Sequence, residues 1–377
     1  MKRILVIFIS LIMLLSAACA KPSGQQAETS VFPTAEVPPI ADITPEQSAE
    51  PTAEVIEIIV DTDVPTATPE PTPEPTPEPR YEFRPHLYLP ILASEIPRDY
   101  WESFFNLCDA LRAGETTFVC SSEEAYRWAT DPTTLTELFP PACVKIKGQS
   151  SDGTVPYENG VGRICYQMPI DEYVERQAQF EALVEDVLNT WLEYDDDDFE
   201  KCLKLYDYME STYIYDYEFH ETLPDGANYD TIMKGKGQCI ELSSVYAYFL
   251  LQAGVEALQV GCCVPTMAHA WTYIVIDGRG YHSDPTWSLK STVGSDILPL
   301  YYFMMTDSRR SDSGCPVDDL EVPLLPRYWA KFSSVDFTAD DDRYSFPSAS
   351  FLLFIDEEYK SVHYICDNTE YELSYCP

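Results

Sequence analysis

Cys239, His269 and Asp284 are the residues of this chain whose types and order could do covalent chemistry together. A thiol, an imidazole and a carboxylate are the parts of a nucleophile, its general base and the acid that orients the base. Cys239 stands between Gly235 and Gly237 on one side and the apolar run 240–251 on the other, with Gly254 just beyond. That pattern predicts a buried helix that begins at the thiol and stops at the glycine. At a helix start the backbone amides favour thiolate over thiol. They also face any oxyanion formed on an attacked carbonyl.

Parity tests whether the imidazole and the carboxylate can meet. Residues 255–264 and 271–276 read as strands, Asp277-Gly278 is a tight hairpin signal, and 280–284 is the returning strand. Closing the hairpin there pairs Ile276 with Arg279 and sets Asp284 opposite Trp271. His269 lies two residues from Trp271, on the same face, so His269 and Asp284 become diagonal neighbours about 7–8 Å apart at the backbone. A slip of one residue would put them on opposite faces.

Each residue also has a plainer reading. Cys239 could be half of a disulfide, His269 could bond backbone, and Asp284-Pro285 is a common turn pair. A zinc site from Cys239, Cys262, Cys263 and His269 competes, but the spacing fits no C-x-x-C pattern and adjacent cysteines rarely both ligate one ion. No metal is expected. The run Asp195-Asp196-Asp197-Asp198 lacks the spaced oxygens, glycine and terminal glutamate of a calcium loop. Phe199, Cys202, Tyr206, Met209 and Tyr213 follow at helical spacing, so the aspartates cap that helix.

The elements around this core are mixed. Residues 98–111 read as an amphipathic helix and 171–192 as a long one. Between them, 144–147 and 162–166 read as a hairpin around a Gly/Ser/Asn loop. Pairing Lys147 with Val161 would bring Cys143 opposite Cys165, at disulfide range. Segments 351–354, 362–366 and 370–375 read as strands that extend or flank the sheet. A turn at Asp367-Asn368-Thr369 would hold Cys366 and Cys376 too far apart to join.

The 377 residues carry 63 Asp and Glu against 24 Lys and Arg, a formal charge of -39. A surface of that sign repels phosphate backbones and anionic lipid, which excludes nucleic acid as a partner. Met1-Lys2-Arg3 and the apolar residues 4–15 read as an export signal, too short to span a bilayer. Small residues 16–18 precede Cys19, the pattern of a bacterial lipoprotein signal that places a lipid on that thiol. Residues 19–80 are rich in Pro, Thr and Glu and end in a Pro-Glu-Pro-Thr repeat. They read as an extended stalk. Twelve cysteines in an exported chain argue for disulfides; setting aside Cys19 and Cys239 leaves ten.

Gly237-Gln238-Cys239, Ala253-Gly254-Val255, His269-Ala270-Trp271, Asp277-Gly278 and Tyr281-His282-Ser283-Asp284-Pro285-Thr286-Trp287 together resemble the core of the transglutaminase-like superfamily. Tyr215-Asp216-Tyr217 resembles the element that precedes the cysteine there, and residues 301–307 the segment that follows the aspartate. The resemblance implies a papain-like α+β fold, with the cysteine helix packed on an antiparallel sheet. It also implies Cys239 as nucleophile, His269 as general base and acid, Asp284 as the residue orienting the histidine, and Tyr215 as a candidate oxyanion partner. Cys262-Cys263 stand where relatives often carry small residues, and a bond from either to Cys239 would mask the nucleophile.

The expected organisation is a signal (1–18), a stalk (19–80), an N-terminal helix-and-hairpin region (81–195), the transglutaminase-like core (196–320) and a C-terminal β extension (321–377). The expected function is cysteine-dependent acyl transfer on a peptide, protein or cell-wall amide, by hydrolysis or transamidation, without a cofactor. It is placed on the outer face of a bacterial membrane, with the N-terminal lipid as the membrane attachment. The alternative is a catalytically inactive transglutaminase-like binding or structural lipoprotein. A solute-binding lipoprotein would need two lobes of repeated strand–helix units, and that alternation is missing.

Overall fold

Residues 80–149, 153–218, 225–265, 267–290, 294 and 296–375 are described in the computed structural model of the chain. The signal, Cys19, the stalk and Cys376 lie outside them.

Helix α1 (Arg98–Arg112) buries Trp101, Phe104, Leu107, Cys108 and Leu111 along one face. It is followed by β1 (Thr117–Val119), α2 (Glu123–Ala129), α3 (Pro132–Leu138), β2 (Ile146–Lys147), β3 (Tyr157–Glu158), β4 (Val161–Arg163) and β5 (Cys165–Tyr166). The expected hairpin forms only as the short pair β2–β5, in a different register. Lys147 faces Cys165, not Val161, because β4 is occupied by β1 and β3 and Val161 faces Val119 and Glu158. Cys143 therefore does not meet Cys165, which corrects the expected disulfide. The Cys143 thiol instead lies 2.9 Å from Thr136 Oγ1. None of the ten cysteines among the described residues is in a disulfide.

The long helix α4 (Ile170–Trp191) buries Tyr173, Phe180, Val184, Val187 and Leu188. Next comes α5 (Asp198–Thr212), capped as its aspartates suggest. Asp197 Oδ1 accepts from Glu200 N at 2.9 Å, and Glu200 Oε2 accepts from Asp197 N at 2.9 Å. Two short segments, β6 (Ile214–Tyr215) and β7 (Lys236–Gly237), then pair in parallel, with α6 (Ala227–Lys234) between them.

Helix α7 (Cys239–Gln252) is buried almost all round, as its apolar sequence requires. Its end is a Schellman turn: Val255 N donates to Leu250 O and Gly254 N to Leu251 O, with Gly254 at φ 92. It packs on the antiparallel sheet of β8 (Glu256–Val264), β9 (Met267–Ile276) and β10 (Arg279–Ser283), in the order β10-β9-β8. The β9–β10 turn has Asp277 at φ 52 and Gly278 at φ 72, so Ile276 pairs with Arg279 as the turn signal requires. The fold is thus α+β, with the cysteine-bearing helix against an antiparallel sheet.

Short helices α8 (Pro285–Ser288) and α9 (Asp307–Asp312) follow. The chain closes with a separate three-stranded sheet of β11 (Phe351–Asp356), β12 (Ser361–Cys366) and β13 (Thr369–Ser374). Cys366 sits beside the Asp367-Asn368 turn, opposite Thr369. One hydrophobic core runs from Phe83 to Tyr375.

Candidate active site

Cys239 is the first residue of α7, 5% exposed, and is not in a disulfide. Gln238 N donates to Glu241 Oε2 at 3.0 Å, which closes the first turn and fixes where the helix starts. Ser243 joins this turn to the sheet. Its Oγ donates to Cys239 O at 2.7 Å, and its own carbonyl accepts from Thr272 Oγ1 on β9 at 2.8 Å. The turn that carries Cys239 and the strand that carries His269 are thereby held in one register. The β6–β7 pairing sets Tyr215 opposite Gly237, two residues before the thiol, with its ring against Tyr217 at 4.8 Å.

His269 projects from β9 and is 4% exposed. Its Nε2 lies 2.7 Å from Asp284 Oδ2, and its ring stacks on Trp287 at 4.4 Å. Asp284 is fully buried, and its acceptor positions are filled. Oδ1 takes the amides of Thr286 and Trp287 at 3.0 and 3.1 Å, while Oδ2 takes His269 and, at 2.7 Å, Arg310 Nη1. Burial alone would raise this carboxyl. The adjacent His269 and Arg310 outweigh it and hold Asp284 at about 2. The backbone is pinned as well, with Tyr206 Oη donating to Asp284 O at 3.0 Å and Asp284 N to Tyr302 O at 2.9 Å. The result is a group charged at neutral pH that accepts hydrogen bonds and gives none.

Arg310, from α9, is buried between Trp271 and Trp287, its guanidinium carbon 4.6 and 4.5 Å from the two ring centres. Behind it, His282 accepts from Trp271 Nε1 at 2.9 Å through Nδ1, so its Nε2 carries the proton donated to Asp307 at 2.9 Å. Burial pulls the His282 imidazole down. This second His–Asp pair braces Trp271 from behind.

A cleft is lined by Cys239, His269, Gln259, Gly261, Glu321 and Tyr328. Glu321 reaches it by a two-way backbone bridge, Gly261 N to Glu321 O at 2.9 Å and Glu321 N to Gly261 O at 2.8 Å. Cys262 faces His269 across the strands, whereas Cys263 faces Ala268 and is exposed. Strand alternation thus places the two cysteines on opposite faces. Among the described residues no cluster of His, Cys, Asp and Glu could hold a metal ion. Cys262 shares a hydrogen bond with the Cys315 thiol, which also lies 3.2 Å from Met267 Sδ. The bond holds the Cys315 thiol down and pushes Cys262 up.

Cys239, His269 and Asp284 therefore come from a helix tip and one hairpin, with the thiol and imidazole in one cleft. Arg310, Ser243, Thr272, Glu321 and Tyr328 are absent from the sequence reading. Arg309-Arg310 in a strongly acidic chain is the one local signal that marks any of them.

Residues 186–285 match the family model of the transglutaminase-like superfamily. No curated protein matches the chain. A solved structure from Cytophaga hutchinsonii, described as a candidate cysteine protease, shares 17% identity with a TM-score of 0.25. The likeness covers 33% of this chain, which spans 40% of that protein's length.

Proposed function

We propose that this chain, whose residues 186–285 form a domain of the transglutaminase-like superfamily, is a cysteine-dependent acyl-transfer enzyme acting on peptide or protein amides. The thiolate of Cys239 attacks the amide carbonyl, and the carbon–sulfur bond forms as the carbon–nitrogen bond breaks. His269 takes the thiol proton and returns it to the departing amine. Because Nε2 faces Asp284, Nδ1 is the nitrogen that does this work. Water or a second amine then attacks the acyl-enzyme, passing its proton to His269 as the thiolate leaves. Asp284 holds the ring and stabilises the imidazolium; it does not itself take the proton. The Cys239 amide at the helix start, with Tyr215 as a further candidate, would receive the oxyanion.

One observation carries this reading: His269 is oriented by a buried carboxylate at 2.7 Å and lines the same cleft as the Cys239 thiol. The lipid on Cys19 and a place on the outer membrane face belong to the proposal, supported by the signal and stalk composition. No helix among the described residues is long and apolar enough to cross a membrane.

p-Nitrophenyl acetate, an activated ester of small size, tests the chemistry. The expected result is a burst of nitrophenolate, an acetyl group on the Cys239 peptide by mass, and release of acetohydroxamate on adding hydroxylamine. A wild-type rate no greater than that of Cys239→Ala would remove the reading.

A further inference from the structure

The wall of the cleft that faces the thiol and imidazole comes from outside the family match, from Glu321 and Tyr328. Glu321 is fixed by its bridge to Gly261, one residue from the Cys262–His269 pair. It is 7% exposed, and no Lys, Arg or His pairs with it among the described residues. Its carboxyl accepts one long bond, from Tyr328 Oη at 3.4 Å, and burial pushes its pKa up. Tyr328 is itself held at φ 61, in the left-handed region, by Val322 N donating to its carbonyl and by its amide donating to Leu325 O at 2.9 Å. A non-glycine residue in that region is strained, and such strain clusters at ligand sites.

A buried carboxylate without a counter-charge is costly in an empty cleft and is offset by a cationic ligand. A primary ammonium fits this environment. It is compact and carries three donors, and Glu321, Tyr328 and Gln259, which line the cleft, are residues with acceptor oxygens. We propose that Glu321, with Tyr328 beside it, determines the specificity of this cleft by selecting substrates that place a primary ammonium next to the carbonyl attacked by Cys239. This inference rests on the acyl-transfer reading and names the substrate class of the same site.

Three small reagents that deliver a thiol-reactive group with different charge test it: 2-aminoethyl, methyl and 2-sulfonatoethyl methanethiosulfonate. Labelling is read on the Cys239 peptide by mass, in wild-type protein and in Glu321→Gln. The wild-type preference for the aminoethyl over the methyl reagent is expected to fall about fivefold or more in Glu321→Gln, the effect of one unit charge at contact distance. The methyl rate should hold steady, which also reports that the variant is folded. Equal preferences in the two proteins, or no cationic preference in the wild type, would overturn the subsite while leaving the thiol chemistry standing. Failure of all three reagents to label Cys239 would instead overturn the acyl-transfer reading, and the substrate subsite with it. Protection by cadaverine would assign the ammonium to a lysine-type side chain, and protection by glycinamide to a chain N-terminus. Protection by neither at saturating amine counts against the proposal.

Discussion

Arg310 Nη1 lies 2.7 Å from Oδ2 of Asp284, the same oxygen that His269 Nε2 reaches. The carboxylate is therefore held between a permanent cation and the imidazole it orients. Arg310 acts through Asp284 and is a positioning residue, kept in place by Trp271 and Trp287 on its two faces.

Removing Arg310 strands a buried charge. Arg310→Met should destabilise the fold by about 3 kcal/mol, the usual cost of breaking one partner of a buried pair. Arg310→Lys keeps the charge but loses the planar stacking, so its loss should be smaller. Urea unfolding of the two variants against wild type measures both.

Acid should act through Asp284. Its folded value of about 2 lies below the ordinary 3.8, so its contribution is present above pH 4 and lost as pH falls through 2. The contribution is about 2 kcal/mol. Asp284→Asn should flatten that part of the acid limb, as read by unfolding free energy between pH 2 and 5.

Glu137 has the opposite sign. Burial raises its carboxyl from 4.5 to about 7, with Ser244 Oγ donating to it at 2.5 Å and partly opposing the rise. Its folded value is above the unfolded one, so stability falls as pH rises from 4.5 to 7, by about 3 kcal/mol. Glu137→Gln should therefore stabilise the protein at pH 8 relative to wild type. At pH 4 the two should be close, since Glu137 is then protonated in both states. Melting temperatures at the two pH values decide this.

Ser243 and Thr272 link the thiol's helix turn to the histidine's strand. Thr272→Val keeps the shape and removes the hydroxyl that Ser243 O accepts from. Stability should drop by only about 1–2 kcal/mol. Labelling of Cys239 should slow by about tenfold, because small misplacements of reacting groups cost rate steeply.

Much of this arrangement is local and so legible in the sequence. Asp277-Gly278 adopts positive φ at both positions, which fixes the β9–β10 register and puts His269 and Asp284 on one face. The apolar run and Gly254 likewise mark both ends of the Cys239 helix. The Cys143–Cys165 pairing is wrong because β4 is claimed by β1, a three-residue strand near position 118 with no pattern of its own. Arg310 is silent for a similar reason. It reaches Asp284 from a short helix after an irregular stretch, and no periodicity connects the two. Glu321 and Tyr328 enter the cleft through isolated backbone bridges, which leave no trace in hydrophobic spacing.

The central claim is that His269 activates the Cys239 thiol. The most direct measurement is the rate of Cys239 alkylation by iodoacetamide as a function of pH, in wild type and in His269→Ala, read on the Cys239 peptide. The account expects labelling near neutral pH faster than that of a free thiol, falling about a hundredfold or more in His269→Ala. A Cys239 that labels no faster than a free thiol, or at the same rate in both proteins, would contradict it.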